Sequence, residues 1–519
     1  MFWADRIAED ICKRYAKKID AGETLIIRDE KTASGRVHVG SMRGVAIHGL
    51  VYEALKKRDV SVRFLFEIND YDPMDDIPGY LDEATYKPYL MRPLYTIPSP
   101  EPGAANFAEF YGSEFMEVIE ETGFHPEFYR ASELYKRGDM NEYVVAALNN
   151  KDKIRDIYKR VSGSDKPDTW YPVSIVEKVC DGIPVVTDWD GEVVSWECKE
   201  TNETGTLDPR NGVVKLQWKV DWAAKFGALS VDIEGAGKDH STKGGSRDVS
   251  SHIAREVFGI QPPYDIPYEF FLIGGKKMSS SKGRGSSARV VANMLPHHIF
   301  RLALSAREPK RQIDFDPDGD TIPLLFDEYD RLAEKYWGDA DDDQARLFEY
   351  IHTDETEQLL EQRYLPRFSL IAFLVQMPHM DIAAEVARMK EAELSSADIQ
   401  ELELRVTYSK KWLAEHAPEQ YKYELQEDTV PEEAHTFDAE QKAALQKLAV
   451  AVEAMTTLDG QELHTTLHDI KKETKIEPKK LFSAIYLAFL GRTSGPKAGW
   501  FLSVLPRTFL LERLREVAA

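Results

Sequence analysis

Apolar residues gather in a short run at Thr24 to Arg28. From Ser41 to Lys57 they recur at steps of four, placing Ile47, Val51 and Leu55 on one face with Ala46, Leu50 and Ala54 beside them. The first pattern predicts a buried strand and the second an amphipathic helix. Val60 to Ile68 is β-branched and aromatic-rich, as a second strand should be. A strand, a helix and a strand within about 45 residues make a βαβ unit, and hence a parallel sheet of the doubly wound kind. A further unit is expected at Ala228 to Ile233, and another strand at Tyr268 to Ile273. Ahead of all these, Met1 to Lys18 mixes Asp5, Arg6, Glu9, Asp10, Lys13 and Arg14 among apolar residues, which predicts an amphipathic first helix and not a signal peptide.

Between the two halves of this pattern, Tyr171 to Lys215 is strand-like and turn-rich, with Asp188-Trp189-Asp190-Gly191 marking a hairpin. It reads as an insertion into the sheet domain. Beyond about residue 291 the periodicity turns helical and stays so, broken by acidic linkers at Asp339 to Asp343 and Glu427 to Glu433. The fold class expected is α/β: a doubly wound parallel-sheet, Rossmann-like domain with a small β-rich insertion, followed by all-α C-terminal domains. The expected division is 1–170 and 216–290 for the two halves of the sheet domain, 171–215 for the insertion, and 291–400 and 401–519 for two helical regions.

Composition narrows the setting. Hydrophobic residues make up 43% and charged residues 30%, a soluble globular balance, and no apolar run approaches the ~20 residues of a membrane span. Three cysteines cannot frame a disulfide scaffold, so a reducing, cytoplasmic setting is expected. A formal net charge of −23 argues against a polyanionic partner on its face. Its distribution does not: Gly275 to Leu295 carries Lys276, Lys277, Lys282, Arg284 and Arg289 without an acid, and Arg301, Arg307, Lys310 and Arg311 follow. A second cluster, Lys471, Lys472, Lys475, Lys479 and Lys480, is diluted by Glu473 and Glu477 and reads equally as a solvated helix face.

Two motifs carry chemistry. Ser34-Gly35-Arg36-Val37-His38-Val39-Gly40-Ser41 lies between the first strand and the helix behind it. A helix start offers free N–H groups and a positive dipole end, Gly40 permits close approach by a nucleotide, and His38 can donate to a phosphate oxygen. Lys277-Met278-Ser279-Ser280-Ser281-Lys282-Gly283 follows the strand ending at Ile273 and the Gly274-Gly275 turn. A Gly/Ser loop bearing Lys277 and Lys282 can close over the phosphates of a nucleoside triphosphate as pyrophosphate leaves. Taken singly, the first is also an ordinary turn with a surface histidine and the second a basic linker. Together they stand about 240 residues apart at the carboxyl ends of two strands, where open parallel sheets bind ligands.

The pair resembles the HIGH and KMSKS signatures of class I aminoacyl-tRNA synthetases, as His-Val-Gly-Ser and Lys-Met-Ser-Ser-Ser. Gln217-Trp218-Lys219-Val220-Asp221-Trp222-Ala223-Ala224-Lys225, Gly237-Lys238-Asp239-His240 and Gly244-Gly245-Ser246 resemble the stretch between those signatures in the class I lysyl-tRNA synthetases. So do Thr32-Ala33-Ser34-Gly35, Leu490-Gly491-Arg492 and Gly495-Pro496-Lys497-Ala498-Gly499-Trp500, which places the resemblance in both ends and the middle of the chain. It implies a lysine–tRNA ligase that joins lysine to ATP as an adenylate, with Mg²⁺ accompanying the phosphates, and then passes the lysyl group to the 3′-terminal ribose of tRNA. The helical C-terminal region would read the anticodon.

Carried over by position, the resemblance gives catalytic roles to His38, Lys277, Ser279 and Lys282. It assigns ATP to Gly35, His38, Gly40, Ser41, Lys238, Asp239, Lys277 and Met278, and lysine to Thr32, Trp218, His240 and Tyr268. An aromatic face suits the stem and ammonium of lysine. Trp218 and Tyr268 are also readable as core aromatics, and His240 as a structural histidine. Departures are Ser41, Ser280 at the usual second lysine, Glu30 where glycine is common, and Gly44 where an acid often follows the arginine. A carboxylate moved onto the neighbouring loop, at Glu30, can still meet a substrate ammonium and then counts among the lysine-binding residues, or the amino acid differs.

The insertion keeps Cys180 and Cys198 of the two Cys-x-x-Cys pairs that hold zinc in many members, with Glu177 and Thr201 at the other places. A metal-free remnant is expected, a site of both cysteines and a carboxylate being the alternative. Asp70, Asp72, Asp75 and Asp76 read as a turn with capping roles before they read as a magnesium site. Oligomeric state stays open, with a monomer the expectation. Rival readings are a class I synthetase for another amino acid, a nucleotidyltransferase acting on a small molecule, and a synthetase-derived RNA-binding protein that binds ATP without turnover.

Overall fold

The computed structural model describes residues 1–276, 286–378 and 380–519. The chain forms two compact units, one of residues 1–316 and 331–361, the other of residues 317–330 and 362–519.

In the first unit, strand β1 (Leu25–Thr32) pairs in parallel with β2 (Val62–Asn69), and β2 in parallel with β3 (Glu127–Arg130). On its other side β1 meets Ile233, and Ile233 meets Tyr264, again in parallel. A little further along, Ala236–Gly237 pairs in parallel with Pro267–Tyr268. The order is therefore β3, β2, β1, the Ile233 segment, the Tyr264 segment, and the direction of winding reverses between β1 and Ile233. Such a switch point opens a crevice at the carboxyl ends of the strands.

The helix expected after the first strand is present as Met42–Lys56, with Ala46, Ile47, Leu50, Val51, Ala54 and Leu55 buried. Strand β1 runs past Arg28 through Asp29-Glu30-Lys31, four consecutive charged residues, with Arg28 paired to carboxylates on the neighbouring elements. Ala228 ends the helix Trp218–Ala228 and does not begin a strand; the strand-like residue is Ile233, held by backbone bonds on both sides. The opening helix is split into Trp3–Arg14 and Ala16–Asp20.

The insertion contains Val173–Ile175 paired antiparallel with Val214–Leu216, and an antiparallel sheet of Pro184–Trp189, Val194–Cys198 and Thr204–Leu207. Its hairpin turns at Asp190-Gly191: Asp190 Oδ1 accepts the N–H groups of Glu192 and Val193 at 2.8 and 2.9 Å, and Gly191 has φ +103°. Past residue 291 the chain is not purely helical, since Ile313–Phe315 pairs in parallel with Phe271–Ile273. Ile313 and Phe315 are buried and Asp314 is exposed, a period of two that three residues cannot announce in sequence.

Part of the expected cationic strip is used internally. Arg301 is buried and donates to Glu53 at 3.0 Å and to the carbonyls of Gly123 and Tyr350 at 3.1 and 2.8 Å. Arg289 pairs with Glu117 at 3.3 Å and with Glu121. Arg43, also buried, donates to the carbonyls of Arg307 and Glu308 at 2.9 and 2.8 Å and to that of Leu304, closing the end of the helix His297–Ser305.

The second unit is helical. Its core joins Leu445, Leu448 and Val452 of Ala439–Ala454 to Leu463 and Leu467 of Gly460–Thr474 and Leu510 and Leu514 of Arg507–Ala518. Within it, buried Arg405 bonds Glu401 at 2.6 Å and Asp330 at 2.5 Å. Among the described residues no helix is long and apolar enough to cross a membrane.

Candidate active site

At the switch point, a cavity of about 260 Å³ opens between the end of β1 and the Glu234–Gly237 segment. Asp29, Glu30 and Lys31 of β1, His38, Gly40 and Ser41 of the first motif, and Trp218, Asp239, His240 and Tyr268 all line it. The backbone of the first motif is held in place from the far side: Val39 N–H donates to Ser286 O at 3.1 Å and Ala288 N–H to Val37 O at 2.8 Å. Val39–Ser41 forms a single tight turn that leads into the helix Met42–Lys56, so the helix start faces the cavity beside Gly40.

A larger cavity of about 730 Å³ adjoins it, sharing Glu30, Lys31, Trp218 and His240. Its other walls include Thr32, Ser34, Trp170, Tyr171, Ile183, Val185, Lys215 and Met91. Thr32 thus borders the larger space, and its hydroxyl donates to Asp72 at 2.9 Å. Trp218 is 40% exposed; its ring stacks on Trp222 at 6.2 Å and meets His240 edge-on at 5.2 Å. The indole of Trp222 is fixed in turn by its bond to Glu234 Oε1 at 2.6 Å.

Beneath both cavities lies a buried network of charge. Arg28 bonds Glu67 and Glu234, each at 2.8 Å, Tyr129 at 2.8 Å, and Glu30. Lys225 bonds Glu67 at 2.6 Å and Asp221 at 2.7 Å, and Lys215 bonds Asp72 at 2.7 Å. Among the described residues five carboxylates (Glu30, Glu67, Asp72, Asp221 and Glu234) share three cations. The imbalance appears in the titration of individual groups. Burial raises the Glu30 carboxyl to about 7, Arg28 and Lys225 opposing it and Glu67 and Glu234 adding to it. Burial would raise Glu67 as well, but Lys225 and Arg28 outweigh it and hold that carboxylate low. Burial pushes the Tyr268 phenol far above its ordinary value. A site with surplus carboxylate and aromatic walls accepts an ammonium group better than a carboxylate or an apolar chain.

The family-model comparison matches residues 1–356 to the class I (K) tRNA synthetases and residues 371–518 to an anticodon binding domain. The chain belongs to the class I (K) tRNA synthetase family. It is similar to the lysine–tRNA ligase of Methanosarcina barkeri, 33% identical over 540 residues that cover 99% of this chain and 97% of the relative. The corresponding ligase of Thermoplasma volcanium is 32% identical, covering 100% and 99%, and that of Pyrococcus horikoshii 31%, covering 99% of each.

In this synthetase the remaining expected residues divide. Lys238 is half exposed and pairs with Glu269 at 2.7 Å; it lines a separate shallow pocket beside the cavity. Gly35 has φ +146° and lies in the loop outside the cavity lining. Lys277, Met278, Ser279 and Lys282 lie outside the described residues. The described chain on either side of them borders the site, Phe270 and Phe271 lining the cavity and Ser287 bridging to His38.

Glu30, expected on a loop, stands on β1. Asp70 and Asp72 are engaged in the fold. Asp70 accepts from the Ser132 N–H at 2.8 Å and from its hydroxyl at 2.5 Å, while Asp72 accepts from Thr32 and Asn69. Cys180 and Cys198 are free, buried thiols, with Cys198 Sγ 3.6 Å from Glu200 Oε2. No group of three or more His, Cys, Asp or Glu among the described residues is placed to hold a metal ion. Asp29, Lys31, Trp222 and Glu234 were not singled out in the sequence. Alternation along β1 would have put Asp29 and Lys31 on one face and Arg28, Glu30 and Thr32 on the other, had the strand been extended through its charges.

Proposed function

We propose that this synthetase is a lysine–tRNA ligase: it activates lysine with ATP to lysyl-adenylate, releasing pyrophosphate, and transfers the lysyl group to the 3′-terminal ribose of a lysine tRNA. The observation that carries the amino-acid assignment is the surplus of carboxylate beneath a cavity walled by Trp218, His240 and Tyr268. The full-length similarity to lysine–tRNA ligases supports the same reading.

In this reading Gly40, Ser41 and His38 receive the phosphates at the helix start, and His38 donates to the oxygens on which charge builds. The backbone of Gly235–Gly237 and Asp239 faces the nucleoside. Lys277 with Ser279, and Lys282, stabilise departing pyrophosphate. Lysine lies with its stem across Trp218 and His240 and its charge toward Glu30 and Tyr268. Mg²⁺ accompanies the phosphates. The larger cavity leaves room for the terminal ribose of tRNA, and the helical residues 371–518 read the anticodon. The reaction runs in the cytoplasm.

The test is ATP–pyrophosphate exchange with each of the twenty amino acids, with and without total tRNA. Exchange with lysine alone is expected. Exchange with another amino acid would keep the class and overturn the substrate, and ATP binding without exchange would leave an RNA-binding protein.

A further inference from the structure

Of the carboxylates around the 260 Å³ cavity, most are already matched by cations. Glu30 and Glu234 bond Arg28, and Glu269 pairs with Lys238. Asp29 enters from the opposite face of β1 and is different. Its Oδ1 accepts the N–H of Glu30 at 2.8 Å, and its Oδ2 lies 3.3 Å from His48 Nδ1. Among the described residues no lysine or arginine stands within ion-pairing distance of it; Lys31, two positions along the strand and lining the same cavity, feels its charge without bonding it.

His48 does not supply the missing charge. Its Nε2 accepts the N–H of Gly235 at 2.7 Å, so the ring proton resides on Nδ1, which also faces Gly44 O at 2.8 Å. Against the lowering by burial, Asp29 draws the ring's pKa upward, but a proton on Nε2 would face the Gly235 N–H, and the ring stays neutral.

Above Asp29 the helix start comes down at Gly44. A Cβ there would lie 2.8 Å from Asp29 Oδ2 and 2.7 Å from Tyr268 Oη, both closer than a carbon can sit. The carboxylate and the phenol thus converge on one point, beside a backbone position that only glycine can occupy without displacing them. Both groups line the cavity, Asp29 well buried and Trp218 exposed at its mouth.

We infer that Asp29 and Tyr268, meeting over Gly44, hold the ammonium at the end of the amino-acid side chain and are the specificity-determining pair for a cationic substrate. This rests on the lysine reading above and adds to it the residues that recognise the charge. The ammonium donates to Asp29 Oδ2 and to Tyr268 Oη and gives that carboxylate a directly bonded cation. A neutral side chain of the same length leaves that carboxylate desolvated and unmatched, which is the source of discrimination. Glu30, on the other face of the strand, contributes field but is already bonded to Arg28.

The experiment compares two inhibitors of exchange, lysinol and norleucinol, which differ only in the terminal ammonium, on the full-length enzyme and on Asp29→Asn. Loss of a hydrogen bond to a charged group predicts a rise of about 10- to 100-fold in KM for lysine and in Ki for lysinol. Ki for norleucinol and KM for ATP should stay within about twofold, since neither ligand uses this contact. A general disturbance of β1 would weaken lysinol and norleucinol alike, and that result, or an unchanged KM for lysine, overturns the proposal. If Asp29→Asn does not fold, Tyr268→Phe gives the same comparison with an expected change of about fivefold in lysinol only. Should the wild-type enzyme itself fail to exchange with lysine, the lysine reading fails first and separately.

Discussion

Arg28 Nη2 lies 2.8 Å from Glu67 Oε2, and both side chains are fully buried on adjacent parallel strands under the cavity. Arg28 also holds Glu234 and Glu30, so one guanidinium links β1 to β2 and to the Ile233 segment at the level where the site begins. Removing it leaves Glu234 and Glu30 without their principal partner and Glu67 with Lys225 alone, whereas the pair as a whole stabilises the fold by much less than its geometry suggests, because both ions are desolvated.

Arg28→Met should therefore destabilise the catalytic unit by about 3–5 kcal/mol, the cost of stranding buried charge. Urea denaturation followed by tryptophan fluorescence reads this, seven of the nine tryptophans lying in that unit. A loss below about 1 kcal/mol would mean that the carboxylates find water or other cations, and the network would then not be the element that fixes the cavity floor.

This network also marks where sequence reading stops. The helix Met42–Lys56 and strand β2 were legible because their burial follows apolar spacing, and the first motif was legible because glycine and histidine sit between a strand and a helix. Four charged residues in a row say loop to any pattern reader, yet Arg28 to Lys31 continue β1, the partners of Arg28 standing 39 and 206 positions away in the chain. The same blindness hid Asp29. The buried fate of Arg301, read as part of an exposed cationic strip, has the same origin, since its partners Glu53 and Tyr350 are distant in sequence.

Lys277→Ala should slow pyrophosphate exchange by about 10²- to 10³-fold, the usual cost of losing one group that stabilises developing charge, while the thermal transition stays in place. The effect should appear in kcat, with KM for lysine nearly unchanged, because a cation on the leaving phosphates acts in the transition state. Unchanged kcat in the folded variant would remove Lys277 from the reaction and leave Lys282 as the cation to test.

Trp218→Ala should raise KM for lysine about five- to tenfold with little change in KM for ATP. The indole, 40% exposed, offers the substrate chain apolar contact and about 1 kcal/mol or more of attraction for its ammonium, which the substitution removes. Trp218→Phe should recover much of the loss, since a smaller ring still covers the stem. Equal damage by both substitutions would point to the stacking on Trp222 and the contact with His240 as the role of this residue.

Glu30 makes the pH dependence predictable in sign. Its carboxyl is raised by burial to about 7, so in the free enzyme it carries a proton below that value and a charge above it. Only the ionised form adds to the negative field that draws in lysine, whose own ammonium stays charged throughout this range. KM for lysine should fall about tenfold between pH 6 and pH 8, and Glu30→Gln should flatten the profile. Of the groups bonded into its network, Arg28 and Lys225 are held far above this range and Glu67 far below it, and the Glu30→Gln profile separates the Glu30 carboxyl from His38 and His240, which line the same cavity. Stability should move the opposite way. The unfolded chain gives up this proton near pH 4.5, before the folded one, so the raised folded pKa costs stability progressively as pH rises from there to about 7, and no further above it. A KM that stays flat from pH 6 to pH 8 in the wild-type enzyme would place the Glu30 carboxylate out of reach of the substrate's charge and leave Asp29 and Tyr268 to meet it.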